Sequence, residues 1–178
     1  MALIASLKDR LARRDDRAPV RALWHRTVEL ARAPDWYAED GIADSVAGRF
    51  DAITLVLALV LLRMERETAL IEPSVRLTEL FVEDMDGQLR NGGVGDLVVG
   101  KHIGKLMSTL GGRLGALREG LAATDPAALE AAIARNVTLA DAAPADAAAR
   151  IAVRLRGFAG ALATTSADDL RAARIALA

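Results

Sequence analysis

An all-α bundle of about seven to eight helices, with one long helix buried at its centre, is the fold class this sequence predicts. Three observations carry the prediction. Aromatic residues make up only 3% of the chain, while Ala and Leu, both strong helix formers, dominate it. Apolar residues recur with the 3.6-residue period of a helix and show little strict alternation. Pro19, Pro34, Pro73, Pro126 and Pro144 fall where helices start or join. A length of 178 residues matches one domain on a prior of roughly 100–200 residues, so a single helical domain over 1–178 is expected.

The elements follow in order. Leu3, Leu7 and Leu11 at four-residue spacing predict a helix over 3–14. A second helix starts on Pro19 and runs to 33, with Val20, Leu23, Trp24 and Ala31 on one face. Trp36 and Tyr37 then fall in a loop after Pro34, as an aromatic pair that either closes the core over that loop or stands as an exposed anchor for a partner. A long helix is expected over 44–70 with Asp44 as its N-cap; Ala52–Leu62 is apolar all round, which predicts burial on most sides. Helix 74–90 follows Pro73 and ends at Asn91-Gly92-Gly93. Asp96 caps a helix running from 97 to about 122. Three shorter helices are expected over 126–136, 145–163 and 167–176. Ser166 with Asp169 forms a capping box for the last.

Composition excludes several classes. Apolar residues reach 52% and charged residues 26%, a globular balance. A net charge of −1 does not suit a binder that works by wholesale phosphate neutralisation, and no specific DNA binding is expected. The absence of cysteine removes disulfides, thiolate zinc sites and thiol nucleophiles. The longest uncharged apolar stretch, Ala52–Leu62, is far short of the ~20 residues of a membrane span. The N-terminal stretch has no long apolar core, and Asp9, Asp15 and Asp16 argue against a transit peptide. A bacterial cytoplasmic location is expected.

Charge is unevenly spread. Residues 1–34 carry net +4, 35–91 net −7 and 92–178 net +2. Either the acidic middle packs against its basic flanks, or it presents an acidic face to a basic partner.

Few features carry chemistry. The helix at 97–122 has a long apolar seam (Ile103, Leu106, Met107, Leu110, Leu114, Leu117, Leu121) and a stripe of small residues at Gly100, Gly104, Ser108, Gly111 and Gly115. Interior glycines cost roughly 0.5–1 kcal/mol each against Ala, so close packing against the buried 44–70 helix is expected of them, the alternative being a groove that receives a partner helix. Asp84 and Asp86 resemble a cation-binding pair, but on a helix they diverge by about 200°. His25 and His102 lack ligand or triad partners at suitable spacing. No catalytic residue, metal site or cofactor is assigned. One rival reading is an enzyme using Asp84, Asp86 and Asp96; another is a membrane-surface module with basic residues 3–17 on anionic lipid.

The motifs reach further. Trp36-Tyr37, Gly41-Ile42-Ala43-Asp44-Ser45 and Gly48-Arg49-Phe50 resemble the opening of the ubiquinol–cytochrome c chaperone family. Phe81-Val82-Glu83-Asp84-Met85-Asp86, Leu89-Arg90, Gly93-Val94-Gly95-Asp96-Leu97, Gly100-Lys101 and Gly112-Arg113 are similar to the family's central string. The resemblance covers about 20–120, while the Ala-rich 122–178 carries little of it. Val56 stands where the family often has His, and Leu114 and Leu117 where an aromatic residue is usual.

The resemblance implies a non-enzymatic assembly factor for respiratory complex III. Its client would be newly made cytochrome b, held at the inner face of the plasma membrane, with the ribosome, the membrane surface and a small protein partner or second copy as further contacts. Given such a client, holding by surface complementarity is the expected mechanism. Glu79, Glu83, Asp84, Asp86 and Asp96 would meet basic loops of the client, and Trp36, Tyr37 and Met85 would form an adjacent apolar strip. Asp44, Gly48, Arg49, Phe50, Leu89, Arg90, Gly93, Gly95, Gly100, Lys101, Gly112 and Arg113 would be scaffold, with Arg49 and Arg90 clamping Asp84 or Asp86.

Overall fold

The computed structural model of the chain describes residues 18–91 and 96–177, with side chains for all of these except 18–19, 88–91 and 96–102. The expected helix over 3–14 lies outside the described residues. In order, the helices are α1 (Ala18–Ala31), α2 (Asp35–Ala38), α3 (Val46–Met64), a 3-10 turn (Thr68–Leu70), α4 (Ile71–Asn91), α5 (Asp96–Ala122), α6 (Ala127–Asn136), α7 (Ala147–Thr164) and α8 (Ala167–Arg171). No strand forms among the described residues; Ile42 and Leu139 make an isolated antiparallel bridge.

Helix α3 is the axis. Every residue from 51 to 61 is buried, as the all-round apolar run requires. Helices α1, α5 and α7 pack around it, α4 lies against α1 and α5, and α6 bridges α5 and α7. Trp24, Phe50 and Phe81 join α1, α3 and α4: the Trp24 and Phe81 rings meet edge to face at 6.0 Å and Phe50 lies 6.3 Å from Phe81.

Four expectations are corrected. The central helix does not run over 44–70. Ser45, not Asp44, is its N-cap, its hydroxyl accepting from the Gly48 amide at 3.2 Å, and the helix ends at Met64 before Glu67 turns extended. Trp36 and Tyr37 lie on the one-turn helix α2 rather than in a loop. Helix α4 starts at Ile71, two residues before Pro73, because first-turn positions need no amide donor. Helix α8 stops at Arg171 rather than 176: Ala173 adopts φ 56° and the chain turns back, burying Ile175.

The small-residue stripe of α5 does not pack against α3. A Cβ placed at Gly104, Gly111 or Gly115 would meet nothing within 4 Å, and Gly104, Ser108 and Gly111 are exposed. These positions sit well over a quarter-turn from Leu110, Arg113 and Leu117, the residues that face the core. The close helix approach occurs instead at Gly120, where a Cβ would lie 2.9 Å from the Leu129 Cα of α6.

Candidate functional site

Two buried polar nodes hold the bundle, and both join the acidic middle to the basic C-terminal part. In the first, Arg113 of α5 reaches into the core against α3. It donates to the Asp51 carboxylate and the Thr54 hydroxyl, and to the Asn136 carbonyl at 2.9 Å. The second Asp51 oxygen accepts from the Thr138 amide at 2.7 Å. The guanidinium also lies 5.4 Å from the Phe50 ring centroid, and its Nε finds no acceptor. One cation thus ties α3, α5 and the end of α6 together.

In the second node, Arg154 of α7 donates to the buried Asp40 carboxylate, with Asp35 at 3.4 Å and Glu39 at 3.8 Å. The same guanidinium sits 5.3 Å from the Trp36 ring centroid. Hydrogen bonding to Asp40 raises the Arg154 pKa above its ordinary value, against the opposing effect of burial. A surface pair, Arg118 with Glu65 at 2.7 Å, repeats the pattern. These acids of the middle section pack against bases of the C-terminal part.

The predicted site residues divide accordingly. Trp36 and Tyr37 do not form an exposed strip. Trp36 is 0% exposed and donates to the Leu30 carbonyl at 3.0 Å; the half-buried Tyr37 donates to the Ala31 carbonyl at 2.9 Å. Both satisfy carbonyls at the end of α1 that have no intrahelical partner. Burial pushes the Tyr37 phenol up, with Arg49 opposing. Met85 is 6% exposed and belongs to the core.

Arg49 does not clamp Asp84 or Asp86; it pairs with Asp44 at 2.6 Å on the surface. That hydrogen bond lowers the Asp44 pKa. Gly48 is required because a Cβ there would collide with the Ala43 carbonyl oxygen. Gly112 is exposed. Gly93 and Gly95 lie outside the described residues, as do the side chains of Leu89, Arg90, Asp96 and Lys101 and the surroundings of Gly100.

Among the predicted client-facing residues, α4 carries an outward cluster. Glu72, Glu79 and Glu83 are exposed and Asp86 is half-buried. Spacings of seven, four and three residues place them on one stripe of the helix. Arg76 lies in that stripe and pairs with Glu72 at 3.0 Å. Glu79, Glu83 and Asp86 also have interaction partners within the chain. Beside the stripe run Ile71, 51% exposed, and Val75, 55% exposed. Asp84 turns away from the stripe and is half-buried.

Sequence reasoning missed Asp51, Thr54, Asp40 and Arg154. An i, i+3 pair such as Asp51 and Thr54 on the flank of a fully apolar helix was the available signal, since polar groups placed there need a partner. Among the described residues no group of three or more His, Cys, Asp or Glu side chains is arranged to hold a metal ion, and no helix is long and apolar enough to cross a membrane.

The scaffold is an all-α bundle held together by buried ion pairs, with an acidic stripe and two exposed apolar residues on the outer face of α4. The sequence profile described as Ubiquinol-cytochrome C chaperone matches residues 39–177, and the chain belongs to that family. The crystal structure of the Cbp3 homolog from Brucella abortus is similar to it with a TM-score of 0.80 and 30% identity, over 98% of this chain and 96% of that one. No curated protein matches the sequence. Membership gives the chain a non-enzymatic role in ubiquinol–cytochrome c reductase assembly, with a protein client. The match extends beyond the expected 20–120 through the Ala-rich third, which supplies Asn136, Thr138 and Arg154 to the two nodes.

Proposed function

We propose that the chain captures newly made cytochrome b and holds it during complex III assembly, using the outer face of α4. Family membership supplies the client class; the α4 face is the observation that carries the contact. A nascent multi-span subunit presents apolar helices and cytoplasmic loops rich in Lys and Arg. The Glu72, Glu79, Glu83 stripe offers charge of the opposite sign, and Ile71 and Val75 offer an apolar strip alongside it. Opposite potentials speed encounter and reject acidic competitors more than they deepen affinity, which suits a holder that must later release its client. On this reading the protein works at the inner face of a bacterial plasma membrane.

The test is genetic and biochemical. Deleting the gene is expected to lower cytochrome b and assembled complex III together, and the tagged protein is expected to co-purify newly labelled cytochrome b. Normal levels of both in the deletion strain defeat the proposal.

A further inference from the structure

The ends of three helices enclose a groove that neither the polar nodes nor the α4 face uses. Helix α3 ends at Met64, α5 at Ala122 and α7 at Thr164. Between them lies a cavity of about 410 Å³, within the range of roughly 300–1,000 Å³ usual for small-molecule sites. Its walls include Leu59 and Leu62 of α3, Leu121 of α5, and Ala159, Leu162 and Ala163 of α7. Leu62 and Leu121 are only partly buried, so the groove presents apolar surface to solvent.

The charges around it leave one cation over. Arg63, Arg66, Arg118 and Glu65 also line the groove. Arg63 donates to the carbonyls of Leu162 at 3.1 Å and Thr165 at 2.7 Å, and pairs with Glu67 at 3.2 Å. Arg118 pairs with Glu65 at 2.7 Å. Arg66 is exposed and makes no ion pair among the described residues. Glu119, exposed next to Arg118 in the sequence, does not line the cavity. Free carbonyls at helix C-termini would repel an anion. Here Arg156 covers that of Gly120 at 3.3 Å, and Arg63 covers two at the end of α7.

Chemistry selects the occupant. A peptide laid in the groove would bring amides that need partners, and Arg63 and the carbonyls it meets are already bonded to each other. An acyl chain has no polar group to satisfy and suits walls of leucine and alanine. One spare guanidinium matches one monoanionic head, and Arg is suited to phosphate oxygens. We propose that the groove holds one acyl chain of a monoanionic phospholipid, with its phosphate on Arg66. The acyl-chain site stands on the groove alone; the phospholipid source rests on the proposed work at a membrane face. The groove shares no residue with the α4 face, so lipid binding and cytochrome b capture fail separately.

The test uses the full chain and myristoyl lysophosphatidylglycerol below its micelle concentration. NMR titration is expected to show one saturable site, with shifts at the methyls of Leu59, Leu62, Leu121 and Leu162. Arg66→Gln should weaken binding about two- to fivefold, as for an exposed charge contact. The zwitterionic lysophosphatidylcholine should bind the wild type more weakly than lysophosphatidylglycerol does. Ala163→Trp fills the groove from an exposed position, and should abolish binding while thermal unfolding stays as in the wild type. Phosphatidylglycerol vesicles should sediment the wild type and leave Ala163→Trp in solution.

Equal binding of the two headgroups, no effect of Arg66→Gln or of a folded Ala163→Trp, or shifts that spare the groove methyls overturns the proposal. Shifts spread over every methyl, as a detergent would cause, also overturn it. Binding of myristate without lysophosphatidylglycerol removes the phospholipid as occupant. So does an apolar peptide that shifts the groove methyls where the lysolipid does not.

Discussion

Arg113 and Asp51 form a buried ion pair across 62 residues of sequence, and the pair sits where α3, α5 and the end of α6 meet. Its partners use most of the hydrogen-bonding capacity of both groups: Thr54, Asn136 and Thr138 complete the shell. Desolvating two charges is costly, and such pairs hold only when their remaining donors and acceptors are met. The node therefore fixes which helices meet more than it adds net stability.

Breaking one half should be severe. Asp51→Ala leaves a buried guanidinium and the Thr138 amide unmatched, and is expected to cost about 3–5 kcal/mol. The double variant Asp51→Leu with Arg113→Met should lose much less, since it buries no lone charge. Urea unfolding of the two variants checks this; equal losses would assign the effect to packing alone.

Arg154 is expected to matter far more than its neighbour Arg150. Arg154→Met strands the buried Asp40 carboxylate beside Trp36 and should destabilise by about 1.5–3 kcal/mol. Arg150 pairs with Asp146 in a largely exposed bridge, and Arg150→Met should stay within about 0.5 kcal/mol. Thermal unfolding of both variants separates the two cases.

Glycines of α5 should divide by their surroundings. Gly120→Ala drives a methyl against the Leu129 backbone and is expected to destabilise by about 1–3 kcal/mol. Gly111→Ala points into open space and should stabilise by about 0.5–1 kcal/mol through helix propensity. A destabilised Gly111→Ala in denaturant melts would show a contact on that face.

These examples mark what the sequence could carry. The Ala52–Leu62 run announced a buried helix because no charged residue interrupts it, and Ser166 with Asp169 announced the α8 cap, which forms with the Asp169 amide donating to the Ser166 hydroxyl at 3.1 Å. Four-residue α2 is too short to show a period, so Trp36 and Tyr37 read as loop. The left-handed turn at Ala173 lacks the glycine that usually signals one. Of the acidic residues grouped as one surface, Glu79 and Glu83 are exposed on α4, whereas Asp84 lies off their stripe and both Asp84 and Asp86 are half-buried. Trp36 stayed open between closing the core over its loop and standing as an exposed anchor, because both uses take the same side chain; its burial settles the point.

Acid should first loosen two surface contacts, the Ser166–Asp169 cap and the Asp44–Arg49 ion pair. Hydrogen bonding from Ser166 and then Arg174 lowers the Asp169 pKa, and the Arg49 contact lowers that of Asp44. A carboxylate with a depressed folded pKa contributes stability above its unfolded value of about 4, and that contribution fades as pH falls through the folded value. NMR titration should find both carboxyls below the ordinary range, with α8 fraying as Asp169 takes up its proton. An Asp169 titrating at the ordinary value would contradict the capping box.

The most direct measurement is co-purification of newly labelled cytochrome b with the full chain carrying Glu79→Lys and Glu83→Lys, its fold verified by circular dichroism. Our account predicts that the folded variant recovers a small fraction of the cytochrome b bound by wild type, with complex III falling in parallel. Wild-type recovery of cytochrome b by the folded variant would contradict it.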